Sequence, residues 1–167
     1  EQTAQVLETS TTRLVAGLQD PQADPTARWR LAGWEEAINS FLSNPIMGTG
    51  FGEPFDWYSG RALVENRPHN TYLTIQLKTG LTGIGPFLFI VLSFYIYALR
   101  AFWQAAALQH KAVLLALIAA HAGLSVFGFF NLLLESPYLA IFYWGIMGVL
   151  VAVEQRRLDF SRQGMVG

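Results

Sequence analysis

Hydrophobic and polar positions divide the chain near residue 78. Charged residues are spread over the first 78 positions, whereas 79–99 carries none, and about 20 apolar residues are what a helix needs to cross a bilayer. A second uncharged stretch covers 112–134, interrupted only by His121, and a third covers 136–153, near the lower limit of about 17 residues. The pattern predicts an all-α integral membrane protein. A loop segment with amphipathic helices occupies 1–78, three transmembrane helices occupy 79–155 (about 79–99, 112–134 and 136–153), and a tail covers 156–167. Within the loop segment, 1–19 predicts a polar helix ended by the turn-rich Asp20-Pro21-Gln22-Ala23-Asp24-Pro25. Next, Ala27, Leu31, Trp34, Ala37, Ile38 and Phe41 recur at three and four residues, one face of an amphipathic helix closed by Asn44-Pro45. Tyr72, Leu73, Ile75 and Leu77 then lead into the membrane at Gly80.

Charge sets an expected orientation. Short loops rich in Lys and Arg stay on the cytoplasmic side. Arg100 and Lys111 flank the link between the first two spans, and Arg156, Arg157 and Arg162 follow the third, so both ends are expected inside. The link Glu135-Ser136-Pro137 has no positive charge and reads as outside, with Tyr138, Tyr143 and Trp144 as interface anchors. The loop segment is then outside as well. Its arginines do not contradict this, because long translocated segments escape the rule. A net charge of −1 without a basic patch excludes nucleic acid as a partner. The chain has no cysteine, which removes disulfides and thiolate metal sites. Beginning at Glu1 with no charged-then-apolar leader, it reads as part of a longer protein.

Candidate chemistry sits in the loop segment. Arg30 falls on the apolar face one turn before Trp34, where it either snorkels, pairs with a carboxylate or serves a substrate. Gly48-Thr49-Gly50-Phe51-Gly52 is either a plain turn or a set of backbone N–H groups aimed at a phosphate; it is neither a dinucleotide fingerprint nor a P-loop. Phe55, Trp57 and Tyr58 follow, suited to stacking on sugars, to headgroups or to a small core. His69-Asn70 opens the helix that enters the membrane. The positive end of that helix dipole disfavours an imidazolium, so His69 is either a proton acceptor or a helix cap. His121 lies inside the second span, where an ionisable group is either functional or hydrogen-bonded to a neighbouring span. Asn131 and Glu135, at the outer end of that span, either face the loop or cap the helix.

Together, Arg30-Leu31-Ala32-Gly33-Trp34, Asn44-Pro45-Ile46-Met47-Gly48-Thr49-Gly50-Phe51-Gly52, His69-Asn70-Thr71-Tyr72-Leu73 and Gly80-Leu81-Thr82-Gly83, in this order before the spans, resemble the signature of the O-antigen ligase-like superfamily over roughly 26–155. The resemblance implies transfer of a glycan from an undecaprenyl-diphosphate-linked donor to an acceptor hydroxyl. The acceptor is lipid A core or another glycan, and the site is the periplasmic face of the bacterial inner membrane. It implies that Arg30 neutralises the diphosphate and that His69 is the general base. Arg28, Arg61 and Arg67 are further candidates for diphosphate binding, and Trp34 and Asn70 for substrate contact. No cofactor is implied. No Asp-x-Asp pair or cluster of His and carboxylates is visible, which fits a metal-independent reaction. Family members carry more helices ahead of this segment and another arginine in an upstream loop, so these residues alone are expected to be inactive. A polysaccharide polymerase or a protein O-oligosaccharyltransferase would present the same arginine and histidine. A transporter would instead rest on His121 and a broken helix at Gly80 to Pro86 and would call for an internal repeat, which the sequence lacks.

Overall fold

The computed structural model describes residues 25–163 apart from 54, 56, 60, 61 and 66, with the backbone alone for 25–27, 57–59, 62–65 and 160–163. The polar helix expected over 1–19 and the candidate Arg61 lie outside the described residues. Helix α1 spans Pro25–Ser43. Two short strands follow, β1 (Trp57–Ser59) and β2 (Ala62–Glu65), then α2 (Thr71–Gln104), α3 (Leu108–Phe127) and α4 (Pro137–Gln163). The last three helices are long and apolar enough to cross a membrane. The helical architecture is therefore the one expected. The strands pair antiparallel, with Tyr58 opposite Leu63 and Ser59 opposite Ala62, so the loop segment contains a hairpin that the helical pattern did not announce.

The bundle has two packed layers. Towards the α2–α3 link, Phe94, Ala98, Ala101, Ala105, Leu114 and Leu150 are buried together. The alanines let α2 lie close to its neighbours, as small side chains do where no water drives helices together. Towards the loop segment, Ile84, Phe87, Leu133 and Tyr143 form the second layer. A third cluster of Ala37, Phe55 and Leu77, joined by Trp29, Ala32 and Leu73, fastens α1 and the loop onto the start of α2.

One helix start agrees with the sequence and one helix end is corrected. The first apolar helix starts at Thr71, where His69-Asn70 was expected to open it and eight residues ahead of the charge-free stretch, because Asn70 caps it: the Asn70 side chain accepts from the N–H groups of Tyr72 at 3.0 Å and Leu73 at 3.1 Å. The second ends at Phe127 rather than 134. Its apolar continuation turns away because Thr71 draws it aside. The Thr71 N–H donates to the Gly128 carbonyl at 2.8 Å, its hydroxyl donates to the Asn131 carbonyl at 3.0 Å, and the Leu133 N–H donates to that hydroxyl at 2.7 Å. The buried face of α1 also differs from the periodicity. Leu31 and Ile38 are each 44% exposed and Gly33 is buried, while Ala37 is buried as the pattern has it, because the packed face turns on the small residues that admit α2.

Helix α2 is broken once, at Gly80 (φ 61°, ψ −157°), a conformation open in practice only to glycine. The portion after the break, about 36 Å at 1.5 Å per residue, exceeds the ~30 Å of hydrocarbon in a bilayer. A break leaves backbone groups unpaired, and near a membrane these must find partners within the protein. The loop supplies them. The N–H groups of Leu81 and Thr82 donate to the carbonyls of Pro45 (2.9 Å) and Ile46 (3.1 Å), and those of Thr49 and Gly50 donate to the carbonyls of Leu77 and Lys78, both at 2.9 Å. A Cβ on Gly80 would lie 2.3 Å from the Ile46 oxygen, and one on Gly48 would lie 2.6 Å from the Gly80 nitrogen. The two glycines therefore permit a backbone-to-backbone clasp.

Candidate functional site

The clasp decides between the two readings of the glycine turn. With Gly48 N–H bound to the Asn44 carbonyl at 2.9 Å, and those of Thr49 and Gly50 spent on α2, these donors are not directed at a phosphate. The motif positions the helix start instead.

That helix start carries His69, which adopts a left-handed backbone conformation (φ 48°), strained by about 1–3 kcal/mol for a residue with a side chain. Two tryptophans of α1 hold this segment. The Trp34 indole N–H donates to the Pro68 carbonyl at 2.8 Å, and its ring lies 6.4 Å from that of Phe130. The Trp29 ring packs against the His69 imidazole, centroids 5.0 Å apart and tilted by 56°. His69 is thus the residue before the cap, and Asn70 is the cap itself. The carboxamide oxygen of Asn70, a candidate for substrate contact, is engaged by the helix. Trp34, another such candidate, holds Pro68 with its polar atom and thereby positions His69.

Arg30 lies one turn before Trp34 and so shares the helix face that reaches Pro68. It is half-buried. Its Nε is fully buried and has no hydrogen-bond partner among the described residues. A buried, unpaired polar atom on a permanently charged group is costly, and among the described residues no carboxylate forms an ion pair with Arg30. Two other candidate arginines are described. Arg28 is exposed and, two residues earlier, points about 200° around the helix from Arg30. Arg67 forms an ion pair with Glu135 at 3.3 Å, so Glu135 faces the loop, one of the two readings open from sequence. Among the described residues no three His, Asp or Glu side chains gather as a metal site would require.

The other polar groups are set apart from this end. In mid-bundle, His121 is fully buried. Its Nδ1 is 2.9 Å from the Tyr95 hydroxyl, which is 3.2 Å from the Ser125 hydroxyl, while the Tyr72 hydroxyl donates to the Ser125 carbonyl at 2.9 Å. His121 therefore links α3 to a neighbouring span. At the far end His110 lies 2.9 Å from Glu154, and Arg157 donates to both oxygens of that carboxylate. Sequence reading passed over Thr71, His110 and Glu154. Only Thr71 carried a local signal, its place directly after the capping asparagine.

No curated protein and no solved structure matches the chain. A family model described as O-antigen ligase matches residues 3–88, just over half of the sequence, and the matched stretch contains Arg30, the glycine clasp, His69 and the break at Gly80. The chain belongs to the O-antigen ligase family, multi-pass membrane proteins that ligate or polymerise glycans.

Proposed function

We propose that this chain contributes the transfer site of an enzyme that moves a glycan from an undecaprenyl-diphosphate-linked donor to an acceptor hydroxyl. The site faces the periplasm at the bacterial inner membrane, and the reaction is of the type that ligates O-antigen to lipid A core. The acceptor oxygen attacks the anomeric carbon, and the bond from that carbon to the diphosphate oxygen breaks. The electron pair leaves with undecaprenyl diphosphate. The hydroxyl proton passes to the His69 imidazole, a general-base contribution of about 10²–10⁴-fold. Arg30 stabilises the negative charge that builds on the departing diphosphate, which a planar guanidinium does with two directed hydrogen bonds. A growing polysaccharide or a protein hydroxyl is an alternative acceptor for the same chemistry.

The observation that carries this reading is the Arg30 Nε, buried and without a partner among the described residues, on the helix whose Trp29 and Trp34 hold the His69 segment. Orientation follows from charge: Arg100 and Arg156 are exposed at the far end, which favours that end in the cytoplasm. Cysteines introduced at positions 60 and 160 are expected to react with an impermeant thiol reagent in intact cells only at position 60; labelling at 160 would reverse the map.

The test of the chemistry uses the complete protein at matched membrane levels and measures glycan transfer alongside donor binding. Asparagine tolerates the left-handed conformation better than most residues, so His69→Asn keeps the backbone and removes only the imidazole. It is expected to abolish transfer and leave donor binding within about twofold. Arg30→Lys keeps the charge but loses the fork, and is expected to weaken both. Near-normal transfer by both variants would sink the mechanism.

A further inference from the structure

The histidine proposed as base stands in a backbone conformation that side chains resist (φ 48°), and such a conformation persists only where the surrounding structure over-determines it. One support comes from α1, whose Trp34 holds the Pro68 carbonyl just ahead of His69. The other is the link between α3 and α4, residues 128–135. That link lies beyond the stretch 3–88 matched by the family model, and the reaction as written gives it no part.

The link grips the chain two residues past His69, at Thr71, which is 2% exposed. The Thr71 N–H donates to the Gly128 carbonyl at 2.8 Å. Its hydroxyl donates to the Asn131 carbonyl at 3.0 Å and accepts from the Leu133 N–H at 2.7 Å. A hydroxyl that gives one bond and takes another fixes two link residues at once, which valine, of nearly the same shape, cannot do. Neighbouring link residues close on the same segment: the Phe129 ring lies 4.4 Å from that of Tyr72, and Glu135 pairs with Arg67 at 3.3 Å. The helix start is occupied in holding itself. With the N–H of Thr71 on Gly128 and those of Tyr72 and Leu73 on the Asn70 side chain, none of these three donors is left for a substrate anion.

We infer that Thr71 is a positioning residue for the proposed base: through its hydroxyl the α3–α4 link fixes the backbone that carries His69, and so sets where the imidazole meets the acceptor hydroxyl. The inference rests on the glycan-transfer reading above. In this role Thr71 acts through His69 and touches neither donor nor acceptor. A misplacement of about 1 Å at a reacting group can cost about 10²-fold in rate, so the anchoring of one backbone segment is enough to govern turnover. The competing account is that Thr71 merely joins α2 to the link and sustains the fold.

The test uses the complete protein and two readouts: kcat and KM per folded molecule, and the rate at which diethyl pyrocarbonate modifies His69, followed by peptide mass spectrometry. Thr71→Val is expected to lower kcat by about 10- to 100-fold with both KM values within twofold, and to change the His69 modification rate at least threefold while that of His110 holds. Thr71→Ser keeps the hydroxyl and is expected to bring both readouts within threefold of the wild type. Thr71→Ala, whose smaller side chain leaves room for water beside Asn131 and Leu133, carries the same expectation as Thr71→Val if the latter does not fold. Tyr72→Phe is the comparison for a bond that only joins helices. It removes the hydrogen bond from the Tyr72 hydroxyl to the Ser125 carbonyl, and should lower the thermal midpoint while kcat and the His69 rate stay unchanged. Provided that His69→Asn is inactive, the positioning role is overturned by a kcat within twofold of the wild type in Thr71→Val or its alanine substitute. An unchanged His69 modification rate, a serine variant as impaired as the valine one, or an equal loss of kcat in Tyr72→Phe would overturn it as well. If His69→Asn transfers normally, the base assignment fails and the modification rate alone decides: a changed rate upholds Thr71 as the residue that positions His69, and an unchanged one overturns it.

Discussion

The two ends of the helical bundle treat buried polar groups in opposite ways. At the far end Glu154 is 2% exposed and every polar atom of its carboxylate is used, by His110 on one side and Arg157 on the other. At the loop end Arg30 Nε and Glu135 Oε1 are buried and unpaired among the described residues, although the backbone around them is satisfied bond by bond through the clasp. Saturated polar groups hold helices together. Unsaturated ones cost stability, and the proposed transfer reaction would give Arg30 a partner. His121 is a further case: its Nε2 is also unpaired among the described residues, and its whole ring is buried, with centroids 4.6 Å from Phe94 and 4.3 Å from Tyr143. It belongs to the packing.

The largest effects are expected at the proposed transfer site of the loop end. His69→Ala removes both the base and the aromatic contact with Trp29 and is expected to lower transfer per folded molecule by about 10²–10⁴-fold, measured with a lipid-linked donor. A loss below tenfold would place His69 with the structural groups and blur the contrast between the ends.

Next comes the clasp that carries the loop end. Gly80→Ala sets a methyl group against the Ile46 carbonyl, 2.3 Å away, at a φ that alanine resists. The expected result is little folded protein in the membrane and rapid cleavage of the loop by added protease. Gly85→Ala, where a Cβ meets nothing within 4 Å, should accumulate normally. Equal accumulation of both variants would show that the clasp is dispensable.

At the far end, Glu154→Gln replaces a charge-assisted acceptor by a neutral one. A loss on the order of 1–3 kcal/mol of stability is expected, read as a lowered thermal midpoint in detergent, with transfer per folded molecule unchanged. The smallest effect belongs to Trp34→Phe. It removes one hydrogen bond to Pro68, worth about 0.5–1.5 kcal/mol, and is expected to reduce kcat a few-fold by loosening the His69 segment while KM holds. A change in KM alone would make Trp34 a substrate contact.

How much of this was legible depends on the range of the interaction. The three apolar helices could be read because a bilayer excludes charge, and the charge-free stretches record that directly. Their ends could not be read from charge. Lys78 looks like a boundary, yet the helix runs through it from a cap at Asn70, and the apolar stretch at 128–134 looks helical until Thr71, far away in sequence, takes its backbone groups. Arg30 and His69 were visible as residue types at telling positions. The clasp was not, since it joins Gly48 to Gly80 and neither glycine reports the other. The ion pair of Arg67 with Glu135 was hidden for the same reason, since α2 and α3 lie between them in the chain.

The most direct test of the division between the ends is a paired measurement of thermal midpoint and transfer per folded molecule for Arg30→Lys and Glu154→Gln in the complete protein. The account predicts that Arg30→Lys loses at least tenfold in transfer with its midpoint unchanged or raised, and that Glu154→Gln loses thermal stability with its transfer intact. The reverse pattern, a destabilised Arg30→Lys that still transfers glycan and a stable Glu154→Gln that does not, would contradict it.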